Sequence, residues 1–325
     1  MTIKKIAFIF LFLNYIFLYS AYSQKYNAID DIVRKYPKHF SSTEDLATRI
    51  QKDFTSEYDK ARAIYSWIAL NIKYDYKAYL NPQKPVQFSY RTEAEKQKQI
   101  ELIKEKTWQK AFDSQKAVCE GFTLLYQRLA SLVDLKSQVI RGDSKQSLTD
   151  IGRKNLLTNH SWNIVWVDGK WILVDVTWGQ GYYDSNRKVM VNYFNSVYFD
   201  TDPKYFFAKH FPDSGMYLDR KLNQEDFLNG PLISDKAIEE DLEILRPESG
   251  IIKANDGDKI SFKIKNISKS DTFFYLKRGQ PVKVENPKEV RGTLEFQITY
   301  DKKTGSFITF FLYQNSVASF KIIPK

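Results

Sequence analysis

Cysteine occurs once in this 325-residue chain, in the stretch Lys116-Ala-Val-Cys119-Glu-Gly-Phe-Thr-Leu-Leu-Tyr126. Downstream of it, apolar residues recur at the spacing of one helical face: Phe122, Leu125, Tyr126, Leu129, Leu132 and Val133. This spacing predicts a helix packed on a core, with Cys119 in its first turn. Unpaired N–H groups and the positive end of the helix dipole gather at a helix start, and both favour a thiolate. A lone cysteine at a helix start is more often a small buried hydrophobic residue than a nucleophile. The position of Cys119 is therefore compatible with a nucleophile but is not sufficient evidence for one.

A second stretch, from Asn159 to Gly179, predicts a β-hairpin. Two runs rich in Val, Ile and Trp flank Asp168-Gly169, a strong signal for a two-residue hairpin turn. A loop of that length makes Val167 face Lys170 across the hairpin. Because side chains alternate between the two faces of a strand, this pairing sets the face of every residue in both strands.

The same register extends to Trp162 opposite Asp175 and to His160 opposite Thr177. His160 and Asp175 then become diagonal neighbours on one face, roughly 5–8 Å apart. A carboxylate on one imidazole nitrogen fixes the tautomer, while the other nitrogen can take a thiol proton. Together with Cys119 these residues predict a cysteine acyl-transfer site. The alternative is a half-buried histidine that only forms a hydrogen bond with a nearby acid and has no catalytic role.

Three motifs around these residues resemble the core motifs of the transglutaminase-like superfamily, which contains papain-type thiol enzymes and their relatives. They are Val118-Cys-Glu-Gly-Phe122, His160-Ser-Trp-Asn163 and Val174-Asp-Val-Thr-Trp-Gly179. The resemblance continues upstream and downstream, and its tail is similar to the kyphoscoliosis peptidase branch. These flanking motifs are Lys60 to Asp75, Phe199-Asp-Thr-Asp-Pro203, His210-Phe-Pro212 and Glu225-Asp-Phe227, so that the whole resemblance covers Lys60 to Pro231.

The resemblance implies an α+β, papain-like catalytic domain in which the helix bearing the cysteine packs on an antiparallel sheet. The resemblance also implies that Cys119, His160 and Asp175 correspond to the family's nucleophile, base and orienting acid. The papain family proper is disfavoured, because its local signature is absent and His160 follows Cys119 by only 41 residues (160 − 119).

The N-terminal residues 1–23 have the pattern of a secretory signal peptide. Lys4 and Lys5 precede an apolar run from Ile6 to Leu18, and Ala21-Tyr-Ser23 is a small-x-small cleavage site. The apolar run is too short for a comfortable membrane span, so no stable membrane insertion is expected after cleavage. We therefore expect export to the periplasm or the extracellular space. The single cysteine can form no internal disulfide, which fits a thiol kept for reaction.

Charge and motif content exclude several function classes. The formal net charge is +10, but both signs are interspersed, with no Lys/Arg block and no nucleic-acid motif, so no nucleic-acid partner is expected. His39, His160 and His210 form no zinc spacing, and no phosphate-binding glycine loop occurs. No metal and no cofactor are therefore predicted. An oxyanion donor is needed as well, and Trp108, eleven residues before Cys119 (119 − 108), could approach the site.

Helices are predicted before the cysteine. Asp30 to Phe54 predicts short helices broken near Pro37, with a capping start at Ser42. Ala61 to Ile72 predicts a core helix, and a charged helix is expected to begin at Thr92.

A change of composition near Arg246 predicts a second domain. Five alternating apolar runs follow, at Lys259 to Lys265, Thr272 to Leu276, Thr293 to Tyr300, Phe307 to Tyr313 and Val317 to Ile323. They predict a small antiparallel β-sandwich over 246–325, after a transglutaminase-like domain with N-terminal helices over 24–245. The sandwich contains no candidate chemistry, and packing, binding or presenting a protein partner are its expected roles.

The leading hypothesis is thus an exported cysteine enzyme that acts on amides of a protein or peptide, with peptidase or amidase hydrolysis favoured. Crosslinking by transfer to a lysine amine is one alternative, since the acyl-enzyme accepts either nucleophile. The other is a catalytically silent protein-binding module, because folds lose chemistry readily.

Overall fold

The computed structural model describes residues 28–82, 86–184, 187–268 and 270–325. The predicted signal peptide lies outside these residues. The chain forms two compact units, the first comprising residues up to Val139 together with Trp162–Asp200, and the second comprising Ile140–Ser161 with Thr201–Lys325. The architecture is mixed α+β, as predicted. The domain limits expected from composition, 24–245 and 246–325, remain predictions.

The first unit is mainly helical. After helical residues 28–33, its elements are α1 (Thr43–Asp53), α2 (Glu57–Asn71), β1 (Lys73–Tyr74), α3 (Tyr76–Leu80), α4 (Glu93–Ser114), β2 (Lys116–Ala117), α5 (Cys119–Leu132), β3 (Lys136–Ser144), β4 (His160–Val167), β5 (Lys170–Val174), α6 (Val176–Gln180), β6 (Gly181–Asp184) and β7 (Val189–Asn192). Strands β3 and β4 run from one unit into the other.

Hydroxyl caps set where the long helices begin. Ser42 accepts the N–H of Asp45 at 3.1 Å before α1, and Thr92 accepts the N–H of Glu95 at 3.1 Å before α4, as predicted. Helix α2 begins earlier than the expected Ala61, because Ser56 provides a cap that the apolar spacing did not reveal. The core face of α2 is buried as predicted, so these helices enclose the core of the first unit.

The predicted hairpin is present with its two-residue turn. Asp168 and Gly169 have φ of 48° and 82°, the left-handed values that favour Asp and Gly in such turns. The antiparallel ladder between β4 and β5 runs from Val167↔Lys170 to Asn163↔Val174, in the expected register. Asn163 donates a hydrogen bond to the carbonyl of Thr123 at 3.1 Å. The hairpin therefore packs against α5, which confirms that the cysteine helix lies on an antiparallel sheet.

One part of the hairpin prediction is wrong. The second strand ends at Val174, and Thr177 lies in α6 rather than opposite His160. The cause is local: the Asp175 carboxylate accepts the N–H of Trp178 at 3.1 Å and starts a short helix. Further along, β7 is followed by a 3₁₀ turn at Ser196–Tyr198.

The second unit carries two larger β-sheets and one two-stranded sheet. Its elements are α7 (Pro203–Lys209), β8 (His210–Pro212), β9 (Met216–Tyr217), β10 (Arg220–Lys221), α8 (Gln224–Asn229), β11 (Leu232–Ile233), α9 (Asp235–Glu239), β12 (Glu243–Arg246), β13 (Ile251–Lys253), β14 (Lys259–Lys265), β15 (Phe273–Lys277), β16 (Gln280–Lys283), β17 (Lys288–Val290), β18 (Thr293–Thr299), β19 (Phe307–Leu312) and β20 (Asn315–Ile323). One larger sheet has the order β11-β20-β19-β15-β16 with β13 beside β20, the other has the order β12-β14-β18-β17, and the two-stranded sheet consists of β9 and β10.

Phenylalanines join the two larger sheets into a sandwich. The ring of Phe262 on β14 lies 4.7 Å from that of Phe310 on β19 and 5.3 Å from that of Phe320 on β20. The predicted strands are all present within a few residues of their expected limits. The sandwich is not purely antiparallel, however, since β13 pairs parallel with β20, and the prediction missed several strands of two to four residues.

A further four-stranded sheet has the order β5-β4-β3-β8. In the second unit, β8 pairs antiparallel with the end of β3, from Gly142↔Pro212 to Ser144↔His210. None of the helices in the described part of the chain combines the length and the apolar composition needed to cross a membrane.

Candidate functional site

Cys119 is the first residue of α5, as the apolar spacing predicted. Val118 precedes it in an extended conformation and provides no side-chain cap, while its carbonyl accepts the N–H groups of Gly121 at 2.9 Å and Phe122 at 3.3 Å. The thiol is half-buried. The positive end of the helix dipole therefore lies at a partly solvated sulfur, an environment that favours the thiolate.

A short parallel strand pair positions the residues that lead into this helix. β1 pairs with β2 as Lys73↔Lys116 and Tyr74↔Ala117, and the N–H of Asp75 donates to the carbonyl of Ala117 at 2.7 Å. Ala117 is two residues before the cysteine. The start of α5 is thus tied to the end of α2 rather than carried on a free loop.

Asp175 is fully buried and held at two points. Its carboxylate caps α6 through the Trp178 N–H, and its own N–H donates to the carbonyl of Tyr198 at 2.9 Å. The capping acid has a definite orientation because both the backbone and the side chain are bonded. The hairpin prediction placed Asp175 at the end of β5, and the structure places it directly after that strand.

Tyr74 is a neighbour of both Cys119 and Asp175 that sequence reasoning missed. Burial raises the pKa of its phenol, and the charges of Cys119, Tyr79 and Asp175 raise that pKa further. Both the thiol and the acid therefore lie close enough to act on one side chain. The motif Lys60 to Asp75 contains Tyr74 but did not indicate this contact, because β1 is only two residues long and its partner strand is 42 residues away (116 − 74).

His160 is the first residue of β4 and is buried. The preceding residue is anchored in the second unit, where the Asn159 side chain accepts the N–H of Ser144 at 2.9 Å. The ring of His160 lies 5.5 Å from the ring of His210, centroid to centroid. His210 is fully buried, stacks on Phe206 at 4.0 Å and has its Nδ1 3.1 Å from the Phe206 carbonyl.

The sequence spacing of the histidines did not indicate this position of His210. The ladder pair Ser144↔His210 brings it to the strand that also anchors Asn159. The ring of Trp108 packs under the Arg128 guanidinium, 5.1 Å away. Its approach to the thiol stays a prediction.

The structure thus brings Tyr74 to Cys119 and Asp175 in the first unit, and His210 to His160 in the second. The expected joint geometry of Cys119, His160 and Asp175 stays a prediction.

Comparison with known proteins gives a family match and several similar proteins. Residues 44–176 match the Transglutaminase-like superfamily. Kyphoscoliosis peptidase of Mus musculus is 28% identical and that of Homo sapiens 29% identical, each over 156 residues that cover 48% of this chain and 21% of the relative. Hillarin of Drosophila melanogaster is 30% identical over 132 residues, covering 35% of this chain and 16% of that protein.

Among solved structures, the crystal structure of a TGase aligns with a TM-score of 0.30 and 19% identity, over 64% of this chain and 48% of the other. The chain spans about a fifth of the length of the kyphoscoliosis peptidases that it matches.

Proposed function

We propose, from the premise that residues 44–176 belong to the transglutaminase-like superfamily, that this chain is a cysteine enzyme that cleaves amide bonds in a protein or peptide. Cys119 is the proposed nucleophile, His160 the base and Asp175 the orienting acid. The observation that carries the proposal is the conjunction of two predicted elements, a helix that begins at the chain's one cysteine and a hairpin with a two-residue turn whose second strand ends directly before Asp175.

The hairpin register supports the pairing of His160 with Asp175. The last ladder pair is Asn163↔Val174. The next position beyond this pair is Asp175 after β5 and Trp162 on β4. His160 lies two residues beyond Trp162 along β4 and shares its face of the sheet. A three-residue turn would have placed Asp175 on the opposite face, and the observed turn has two residues.

In the proposed reaction, His160 takes the proton of the Cys119 thiol, and the sulfur adds to the carbonyl carbon of the amide. When the tetrahedral intermediate collapses, the C–N bond breaks, and the leaving amine receives the proton from His160. A thioester remains on Cys119. Water, deprotonated by His160, then adds to the thioester, so that a carboxylic acid is released and the thiol is restored.

Hydrolysis is favoured over crosslinking because two of the relatives are named peptidases. If a lysine amine replaced water in the second step, the product would be a crosslink. An assay on a glutamine-containing protein, with and without a primary amine, separates the two outcomes. New peptide termini indicate a peptidase, ammonia release alone indicates an amidase, and amine incorporation indicates a transglutaminase.

The test of the enzyme proposal is thiol activation by His160. Alkylation of Cys119 by iodoacetamide should be faster than that of free cysteine at neutral pH, and His160→Ala should remove this advantage. His39→Ala is the matched control, because His39 is exposed and should leave the rate unchanged. A wild-type thiol that reacts no faster than free cysteine, together with no turnover of any amide, would favour a binding module.

Export is part of the proposal and rests on the pattern of residues 1–23. Expression of the full chain should yield a processed protein in the exported fraction, with an N-terminus near Gln24 by sequencing. The β-sandwich of the second unit is proposed as the surface for any protein partner.

A further inference from the structure

A cysteine enzyme must stabilise the negative oxygen that forms when the sulfur adds to a carbonyl. Preorganised donors at that oxygen are usually the largest single contribution to acyl transfer. The N–H groups in the first turn of α5 supply donors beside Cys119. A side-chain donor is expected as well, and Trp108, which the sequence offered, packs on Arg128.

Tyr74 lies where such a donor is needed. Its backbone is fixed by the ladder pair Tyr74↔Ala117, two residues before Cys119. Its ring lies 6.4 Å from the ring of Phe122, nearly parallel at 30°. Phe122 is three residues after Cys119, on the same face of the helix. The phenol ring therefore lies beside the start of α5.

The chemical state of Tyr74 also suits a donor. Burial raises the pKa of the phenol, and the neighbouring charge of Cys119 is the next cause. With its pKa raised, the hydroxyl keeps its proton at neutral pH and can donate a hydrogen bond. Within the described residues, no hydrogen bond commits this hydroxyl to another group.

We propose that Tyr74 is a catalytic residue whose hydroxyl donates a hydrogen bond to the oxyanion formed when the Cys119 sulfur adds to the substrate carbonyl. This inference rests on the proposed function and names a residue that the triad does not contain. As the C–S bond forms, the electron pair of the C=O double bond moves to oxygen, which accepts the hydrogen bond. The pair returns as the leaving group departs, and Tyr74 keeps its proton throughout.

Two reactions of the same thiol test this role. Acylation by p-nitrophenyl acetate passes through an oxyanion, whereas alkylation by iodoacetamide does not. Tyr74→Phe keeps the ring that packs on Phe122 and removes only the hydroxyl, so the variant should fold with an unchanged Tm. Acylation should fall by about 10²–10³, as for loss of one oxyanion donor, while the alkylation rate and its pH profile stay within about twofold of wild type.

Tyr79→Phe is the matched control. Tyr79 is a second tyrosine of the same cluster, with its ring 6.0 Å from that of Tyr74, and it is about half exposed. Its acylation rate should not change.

Three results would overturn the role of Tyr74. An unchanged acylation rate in Tyr74→Phe would show that Tyr74 is not the oxyanion donor. An equal fall in the acylation and alkylation rates would show that Tyr74 stabilises the thiolate before the reaction and not the oxyanion. An equal loss in Tyr79→Phe would indicate a packing effect. Failure of the proposed function has a different signature, because the wild type itself would then acylate no faster than free cysteine.

Discussion

Replacing Asp175 separates its two roles, since one residue serves as both helix cap and proposed orienting acid. In the wild type the Trp178 N–H donates to the Asp175 carboxylate at 3.1 Å. Asparagine retains an oxygen that can accept this hydrogen bond, but its side chain carries no charge. Loss of the charge removes the preference for the right His160 tautomer and the stabilisation of its imidazolium. We expect Asp175→Asn to lower acylation by on the order of 10²–10⁴. At 1.36 kcal/mol per decade, this is about 3–5 kcal/mol of transition-state stabilisation.

Alanine removes the cap as well. Losing a side-chain cap costs about 0.5–2 kcal/mol of folding stability. Asp175 is also fully buried, so the Trp178 N–H would be left without its acceptor. Asp175→Ala should therefore lose both activity and Tm, whereas Asp175→Asn should lose activity at a Tm near that of the wild type.

The assay is single-turnover acylation by p-nitrophenyl acetate, with Tm measured on the same preparations. Asp202→Asn is the matched control, because the Asp202 side chain caps α7 by accepting the Lys204 N–H at 2.8 Å and has no proposed catalytic role. Its acylation rate should equal that of the wild type. A wild-type rate in Asp175→Asn would remove Asp175 from the mechanism. A rate that fell only with the folded fraction would show that the residue is structural.

Two further predictions concern positions beside the site. Gly179→Ala should destabilise the chain by about 1–3 kcal/mol and slow acylation, because the added Cβ would overlap the Tyr65 ring and disturb α6; Tm and acylation rate measured together check it. Lys145 is fully buried, and burial, followed by the charge of Arg153, lowers its pKa from 10.5 to about 8. Since the unfolded chain keeps that proton up to a higher pH, the contribution of Lys145 to the free energy of unfolding should rise by about 3 kcal/mol between pH 8 and 10.5. Urea titrations at both pH values should show this contribution as the difference in pH dependence between the wild type and Lys145→Met.

The elements that sequence reasoning predicted well are those with a local cause. Helix α5 and the hairpin follow from a repeated apolar spacing and from the turn chemistry of Asp168-Gly169. The caps at Ser42 and Thr92 likewise lie within a few residues of the N–H groups that they satisfy. Each of these signals is complete within a short window, so no tertiary contact is needed to read it.

The features that were missed depend on contacts between distant residues. His210 reaches its place through the ladder pair with Ser144, which is 66 residues earlier (210 − 144). Tyr74 reaches the cysteine helix through a two-residue strand, and two residues carry no periodicity. Such pairings are decided by tertiary packing, which a single sequence does not display.

The strand was predicted to continue past Val174, and this error arose because Asp175 lies in a sequence that favours two different local structures. The run Val174-Asp-Val-Thr-Trp178 is rich in β-branched and aromatic residues, which favours a strand. Asp175 is also a strong helix cap, and a helix of five residues is too short to be stable alone. Gly179 favours the helix over the strand, because its missing side chain lets α6 lie directly against Tyr65. Packing on Tyr65 thus stabilises the helix, the helix requires the cap, and the cap holds the carboxylate of Asp175 in place. An acid proposed to orient a histidine needs such a fixed position.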